Sequence, residues 1–148
     1  MPMLEAEKTG LLVWSPLAGG LLSGKFIHES QKPEGSRRSE FDFPVVDKER
    51  TWKILDVIAP IAKGHGCSPA RISPAWVLTK PFVTSVIIGS KRTEQLHDDI
   101  AAVELKLTTD EIKKLDEVSA LPPEYLGWML PVQGSNRLAP IPRIAPRN

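Results

Sequence analysis

One stretch decides the fold, VIIGSKRTEQLHDD at residues 86–99. A short β-branched run ends in Gly-Ser, two cations follow, and a capping Thr93 starts a helix. This order predicts an anion site at the C-terminal end of a strand, because the N–H groups and the dipole of a new helix turn favour negative charge. Lys91 and Arg92 add fixed positive charge at the same place. The predicted ligand is a phosphate group carried by a nucleotide.

Length and composition are those of one globular domain. The chain has 148 residues, of which 41% are hydrophobic and 25% charged, enough to bury a core. A formal net charge of +1 argues against nucleic acid or an acidic membrane as the main partner. No apolar run approaches the roughly 20 residues that span a bilayer, and the N-terminus lacks the regions of a signal peptide. With Cys67 as its one cysteine, we expect a cytoplasmic protein without a disulfide or a metal site.

The hydrophobic pattern predicts the order helix, strand, loop, two helices, strand and two helices. The predicted strands are 11–14, which is continuously apolar, and 83–88, which is apolar except for Thr84 and Ser85. Largely apolar strands of this kind are typical of parallel strands buried on both faces by helices. The predicted helices are 4–8, 48–63 with Asp47 as N-cap, 69–79 after Ser68, 93–103, and 109–119 capped by Thr108 or Thr109. Residues 26–46 form a predicted loop. Two strands alone make a poor sheet, so the fold is expected to be incomplete.

Several segments occur in the order and at the spacing of a known family: VWSPLAGGLLSGK (13–25), PEGSR (33–37), CSPARISPAW (67–76) and residues 86–99. Together they resemble the aldo-keto reductase family from about residue 4 to residue 119. The family fold is a (β/α)8 TIM barrel, an α/β fold that takes about 250 residues. The resemblance therefore implies the C-terminal part of such a barrel, its last two strands with their helices. Residues 1–120 would form this barrel segment, and 121–148 a proline-rich tail.

The resemblance also implies an NADP(H) site, because barrels of this kind often bind phosphate with the loops after strands seven and eight. By position, Trp14 would stack on the nicotinamide, and Ser15, Leu17 and the backbone through Gly19 and Gly20 would contact the pyrophosphate. Gly89, Ser90 and Lys91 would hold the 2′-phosphate, and Gln95, Asp98 and Asp99 would lie at the adenosine. Lys91 favours NADPH, since NADH has no such phosphate. Asp99 stands where the family usually has Asn, which removes an amide donor and adds negative charge.

The family reaction moves a hydride from NADPH to a carbonyl while a tyrosine, assisted by a lysine, an aspartate and a histidine, protonates the forming alkoxide. None of these four has a counterpart here, since the single tyrosine, Tyr125, lies in the proline-rich tail. We therefore expect no catalytic residue and no activity in the chain alone. The complete barrel would be an NADP-dependent oxidoreductase that reduces a small-molecule aldehyde or ketone. Exposed barrel edges would promote self-association.

The alternative function, from another class, is a non-catalytic nucleotide-binding or interaction module, such as a truncated paralogue or a protein similar to channel β-subunits. Individual residues have structural alternatives as well. Lys91 and Arg92 would be a solvated pair, Trp14 a core residue, and Asp98 and Asp99 helix-surface charges. Surface or cap roles are expected for His28, His65 and His97, and a small buried filler at Cys67.

Overall fold

The computed structural model describes residues 2–25 and 45–121, and all structural statements below concern these residues. They form an α/β arrangement: α1 (Pro2–Ala6), β1 (Leu11–Trp14), a 3-10 turn (Leu21–Ser23), α2 (Lys48–Gly64), α3 (Pro69–Leu78), β2 (Val83–Ile87), α4 (Thr93–Ile100), a second 3-10 turn (Ala101–Val103) and α5 (Thr109–Ser119). The predicted order of helices and strands is thereby confirmed. The predicted loop up to residue 44, Tyr125 and the tail from residue 122 lie outside the described residues.

The sheet consists of β1 and β2 paired in parallel, with Val13 opposite Val86 and Trp14 opposite Ile87. Val13 and Val86 are half-buried, whereas on the other face Leu12 is 61%, Trp14 57% and Ile87 47% exposed. The prediction of strands buried on both faces is therefore wrong for the described chain. An apolar run indicates that a strand can be covered on both faces. No described element covers the face that carries Leu12, Trp14 and Ile87.

Helix α3 is the centre of the packing, because it contacts β2, α2, α4 and both 3-10 turns. Its Ile72 is fully buried at 0% exposure. Ile72 forms one cluster with Ile58 and Ile61 of α2 and Leu115 of α5. The buried core is therefore formed by helices around α3, and the sheet joins it through the packing of β2 against α3.

Most helix ends follow from local side-chain chemistry and confirm the predicted caps. Asp47 accepts a hydrogen bond from the Arg50 N–H at 3.1 Å at the start of α2, as Asp at an N-cap favours. Ser68 caps α3, whose first residue is Pro69. Thr108 and Glu111 form a reciprocal capping box at the start of α5, the arrangement that satisfies two free N–H groups at once.

Other boundaries differ from the prediction. The N-cap of α4 is Arg92, which makes no side-chain capping bond, and Thr93 is the first helical residue instead of the cap. The predicted helix 93–103 changes to a 3-10 turn after Ile100. Helix α1 ends at Ala6, before the predicted residue 8, because Lys8 adopts a left-handed conformation with φ 53° that no α-helix can continue.

His65 has one of its expected roles, that of a cap, and Cys67 packs as expected but is half-buried instead of buried. His65 is the C-cap of α2, and its Nε2 lies 2.9 and 3.0 Å from the two carboxylate oxygens of Glu111, so it joins α2 to α5. Cys67 packs against the core cluster, and burial raises the pKa of its thiol. A raised pKa lowers the thiolate fraction, which fits a packing role for Cys67.

The position of Ile72 predicts that the core is sensitive to the loss of a single methylene there. We expect Ile72→Val to lower the free energy of unfolding by about 0.5–1.5 kcal/mol. Ile100→Val removes the same group from a residue that is 54% exposed and should change it by less than about 0.5 kcal/mol. Urea denaturation of both variants measures the difference, and equal effects would show that the core does not centre on α3.

Candidate cofactor-binding site

The loops that follow β1 and β2 border one cavity of ≈ 900 Å³. Parallel pairing is the cause, because the carboxyl ends of parallel strands meet at the same edge of a sheet. The structure places every predicted cofactor contact around this cavity: Trp14, Ser15, Leu17, Gly19, Gly20, Gly89, Ser90, Lys91, Gln95, Asp98 and Asp99. That these residues bind a cofactor stays a prediction.

The loop after β1 holds an unusual backbone conformation. Ser15 and Ala18 have φ values of 59° and 50°, and Gly19 and Gly20 have 68° and 94°. Left-handed backbone in residues other than glycine is uncommon and concentrates at functional sites. The Ser15 hydroxyl oxygen accepts a hydrogen bond from the Gly19 N–H at 3.1 Å, which closes the loop on itself. The loop is therefore a tight, preformed wall of the cavity.

The loop after β2 leaves room for a close approach to its backbone. A Cβ atom added at Gly89 would meet nothing within 4 Å, and the same holds for Gly20 across the cavity. Lys91 and Arg92 are exposed and line the cavity. The arrangement therefore combines open backbone with positive charge, as a phosphate site requires.

Trp14 stands at the end of β1 on the uncovered face of the sheet. It is 57% exposed and lines the cavity. The alternative of a core tryptophan is therefore wrong for the described chain. An exposed indole face at this place can stack on a flat heterocycle.

Asp98 is engaged by α3. Its Oδ1 accepts hydrogen bonds from Arg71 Nε at 3.0 Å and Arg71 Nη2 at 2.6 Å, and its Oδ2 accepts one from the Ser68 hydroxyl. The side chains of Arg71 and Asp98 are 29% and 25% exposed. Both carboxylate oxygens are thus occupied within the protein, and Asp98 ties α4 to the start of α3.

Asp99 is buried, with 8% of its surface exposed. Its Oδ2 accepts a hydrogen bond from the Ser90 hydroxyl at 2.9 Å. Burial raises the pKa of Asp99 above its ordinary value; the Ser90 hydrogen bond opposes this rise, Asp98 adds to it, and Lys25 opposes it. The alternative of helix-surface charge is therefore wrong for Asp98 and Asp99 alike.

Sequence reasoning missed three polar residues of the cavity wall, Ser23, Lys25 and Ser68. Lys25 ends the motif at residues 13–25, so its charge was a usable signal. Because it lies far along the chain from Lys91, however, nothing in the sequence indicated that the two lysines line the same cavity. Ser68 was recognised only as a helix cap. Its second role, donating to Asp98, depends on a tertiary contact that no local pattern predicts.

Two further observations bound the site. Over residues 2–25 and 45–121, no helix combines the length and the hydropathy that crossing a membrane requires. In the same ranges, no group of three or more His, Cys, Asp or Glu side chains is arranged to hold a metal ion.

Many α/β proteins bind their ligands in a cavity at the carboxyl ends of parallel strands, and this chain has a cavity at that place. The model of the aldo/keto reductase family matches residues 1–120. The chain therefore belongs to the aldo/keto reductase family, a family of oxidoreductases, as the resemblance implied. Its two parallel strands and their helices are consistent with part of a (β/α)8 barrel.

Individual relatives agree with this family. The chain is 34% identical over 132 residues to the uncharacterised oxidoreductase YrpG of Bacillus subtilis, covering 86% of this chain and 39% of that protein. It is 35% identical over 126 residues to a putative voltage-gated potassium channel subunit beta of Schizosaccharomyces pombe, covering 80% and 36%. It is 34% identical over 115 residues to the Tas protein of Escherichia coli, covering 77% and 33%. The chain thus spans well under half the length of these relatives.

The Arg71–Asp98 pair predicts a stability effect larger than that of a surface ion pair. We expect Arg71→Ala to lower the free energy of unfolding by about 1–3 kcal/mol, because it leaves a half-buried carboxylate without its charged donor. Lys53→Ala is the matched control, since the Lys53–Glu49 side chains are 66% and 81% exposed and solvent-exposed pairs of this kind contribute little to stability. Urea denaturation compares the two, and equal losses would contradict the anchoring role.

Proposed function

We propose that this chain is the NADP(H)-binding, C-terminal portion of an aldo-keto reductase that reduces aldehydes or ketones when the barrel is complete. One observation carries the proposal. The cavity brings Trp14 and the loop 15–20 together with the loop 88–92, although the two loops lie far apart in sequence. When bound, NADPH supplies the hydride of such a reduction.

Different residues of the cavity fit different parts of such a cofactor. Trp14 offers its exposed ring to the nicotinamide, and the left-handed loop from Ser15 to Gly20 lies where a pyrophosphate needs close backbone approach. Gly89 offers open space beside Lys91 for the 2′-phosphate. These features are those of a preformed site, in which binding orders few loops or side chains and so loses little conformational entropy.

The proposed residues at the adenosine are Gln95 and Asp99, which line the cavity. Asp98, which the resemblance also placed at the adenosine, has a different proposed role. The carboxylate of Asp98 is already held by Arg71 and Ser68. In the proposal Asp98 therefore positions α4, and Gln95 and Asp99 face the ligand. No residue of the described chain is proposed as the acid that protonates the substrate.

A cytoplasmic location is part of the proposal. NADP(H) reduction and a single unpaired cysteine, Cys67, both fit a reducing compartment.

The proposal predicts that NADPH quenches tryptophan fluorescence saturably, since Trp14 lines the cavity. We expect Gly89→Ala to weaken NADPH binding about tenfold, because the added methyl would occupy space that the ligand needs. Gly64→Ala is the matched control, since a Cβ there also meets nothing within 4 Å, at the end of α2, outside the cavity lining.

The outcomes separate clearly. Saturable quenching that is weakened by Gly89→Ala but not by Gly64→Ala supports the proposal. Absence of NADPH binding in the wild-type chain, or equal binding by both variants, would overturn the assignment of this cavity to the cofactor.

The second candidate function is a non-catalytic interaction module. The observation that favours it is the uncovered sheet face with Leu12, Trp14 and Ile87 exposed, together with the relative named as a channel β-subunit. We propose that this face is covered by the rest of a barrel or, in its absence, by another copy of the chain.

Self-association through the sheet predicts a mass that depends on concentration. We expect light scattering after size-exclusion chromatography to show oligomers that Leu12→Glu shifts toward the monomer. Val103→Glu adds the same charge at a residue that is 74% exposed and lies outside the sheet, and it should leave the mass unchanged. A monomeric wild-type chain at every concentration would contradict the self-association.

A further inference from the structure

Asp99 is an unexpected neighbour for a phosphate. It is 8% exposed, it lines the same cavity as Lys91, and an ionised carboxylate repels a phosphate where water is partly excluded. A residue that opposes the proposed ligand at its own site is either neutralised when the ligand binds or changes which ligand is preferred.

The hydrogen bond between Ser90 and Asp99 determines what Ser90 can offer a ligand. A serine hydroxyl has one hydrogen and two lone pairs, and an ionised carboxylate only accepts. At 2.9 Å from Asp99 Oδ2, the Ser90 hydrogen is committed to the carboxylate. Ser90 therefore presents lone pairs to the cavity. Lone pairs accept a hydrogen bond from a ribose hydroxyl, but they repel a phosphate oxygen.

Protonation of Asp99 reverses this arrangement. A protonated carboxyl group can donate to the Ser90 oxygen, which frees the Ser90 hydrogen to donate to a phosphate. Burial raises the pKa of Asp99 and so favours the protonated form; the Ser90 hydrogen bond opposes this, Asp98 promotes it, and Lys25 opposes it. The other charged groups are Arg71, which holds Asp98, and Lys91 and Arg92, which line the same cavity as Asp99.

We propose that Asp99 is a specificity-determining residue: by holding the Ser90 hydroxyl, it weakens the preference of this site for a cofactor with a phosphate at this position over one with a hydroxyl. The inference rests on the proposed function, since it concerns the same cavity. It makes the preference for NADPH over NADH depend on pH. Phosphate binding takes up a proton at Asp99, and the preference falls as pH rises through the pKa of Asp99.

The first test measures the ratio of the NADH to the NADPH dissociation constant by tryptophan fluorescence at pH 7.5. Asp99→Asn keeps the shape and supplies an amide donor for Ser90. It should raise the ratio about tenfold, the worth of one charge-assisted hydrogen bond. Asp110→Asn removes the same charge from an exposed residue of α5 and should leave the ratio unchanged.

A second variant tests whether Asp99 acts through Ser90. In a Ser90→Ala background, Asp99→Asn should change the ratio by clearly less than about tenfold, because no hydroxyl remains to be reoriented and only the direct repulsion between the Asp99 charge and the phosphate is removed. An undiminished effect would mean that the charge of Asp99 acts directly on the phosphate, which would overturn the role assigned to Ser90.

The pH profile supplies a readout that a merely structural role would not move. A phosphate monoester itself ionises near pH 6, so its titration affects every variant alike and cancels in a ratio. The NADPH dissociation constant of the wild type relative to Asp99→Asn should lie near one at the acid end of the range and rise to about ten at pH 8.

The outcomes distinguish a failure of this inference from a failure of the proposed function. NADPH binding with parallel pH profiles for wild type and Asp99→Asn would overturn this inference and leave the proposed function standing, whereas a wild-type chain that binds neither cofactor would overturn both. If circular dichroism shows that Asp99→Asn does not fold, Ser90→Ala carries the test. Its NADPH dissociation constant relative to wild type should then increase as pH falls, and a constant ratio would overturn the inference.

Discussion

The carboxylate of Asp98 is the constraint on which the site depends. It is bound by Arg71 and by the capping Ser68, both at the start of the most central helix, α3. Helix α4 is only eight residues long, and its Leu96 and Ile100 are 39% and 54% exposed, so apolar burial holds it weakly. A polar anchor therefore fixes the helix that carries much of the cavity wall, and it does so from the best-packed part of the chain.

The same anchor divides the charges of the cavity into two kinds. Arg71 pairs with Asp98 and partly compensates its charge, although Asp98 still raises the pKa of Asp99. Lys25, Lys91 and Arg92 border the cavity without entering the core. Asp99 is a buried acid that lines the same cavity and, when ionised, carries the opposite charge to these cations. The local field therefore reflects competition between exposed cations, which salt screens, and one buried acid, which salt screens much less.

Local chemistry made much of this fold predictable, and tertiary contact accounts for what was not. The strands, the caps Asp47, Ser68 and Thr108, and the set of residues around the cavity follow from short-range pattern or from the resemblance. The partnership of Asp98 with Arg71 does not, because an exposed-looking acid on a helix has the same local signature whether it meets solvent or an arginine. The uncovered sheet face was mispredicted for a related reason: an apolar strand records what it can pack against, not whether that element is present.

Parallel pairing of Leu11 with Val83 and of Trp14 with Ile87 joins two segments that lie far apart in the sequence. Such contacts are slow to form, since the entropy of closing a long loop is lost before any contact compensates for it. A ligand that touches both loops at once would bind only after this closure. Its binding free energy would therefore add to the folding free energy, so that the ligand would protect the chain from unfolding and from proteolysis in proportion to its concentration.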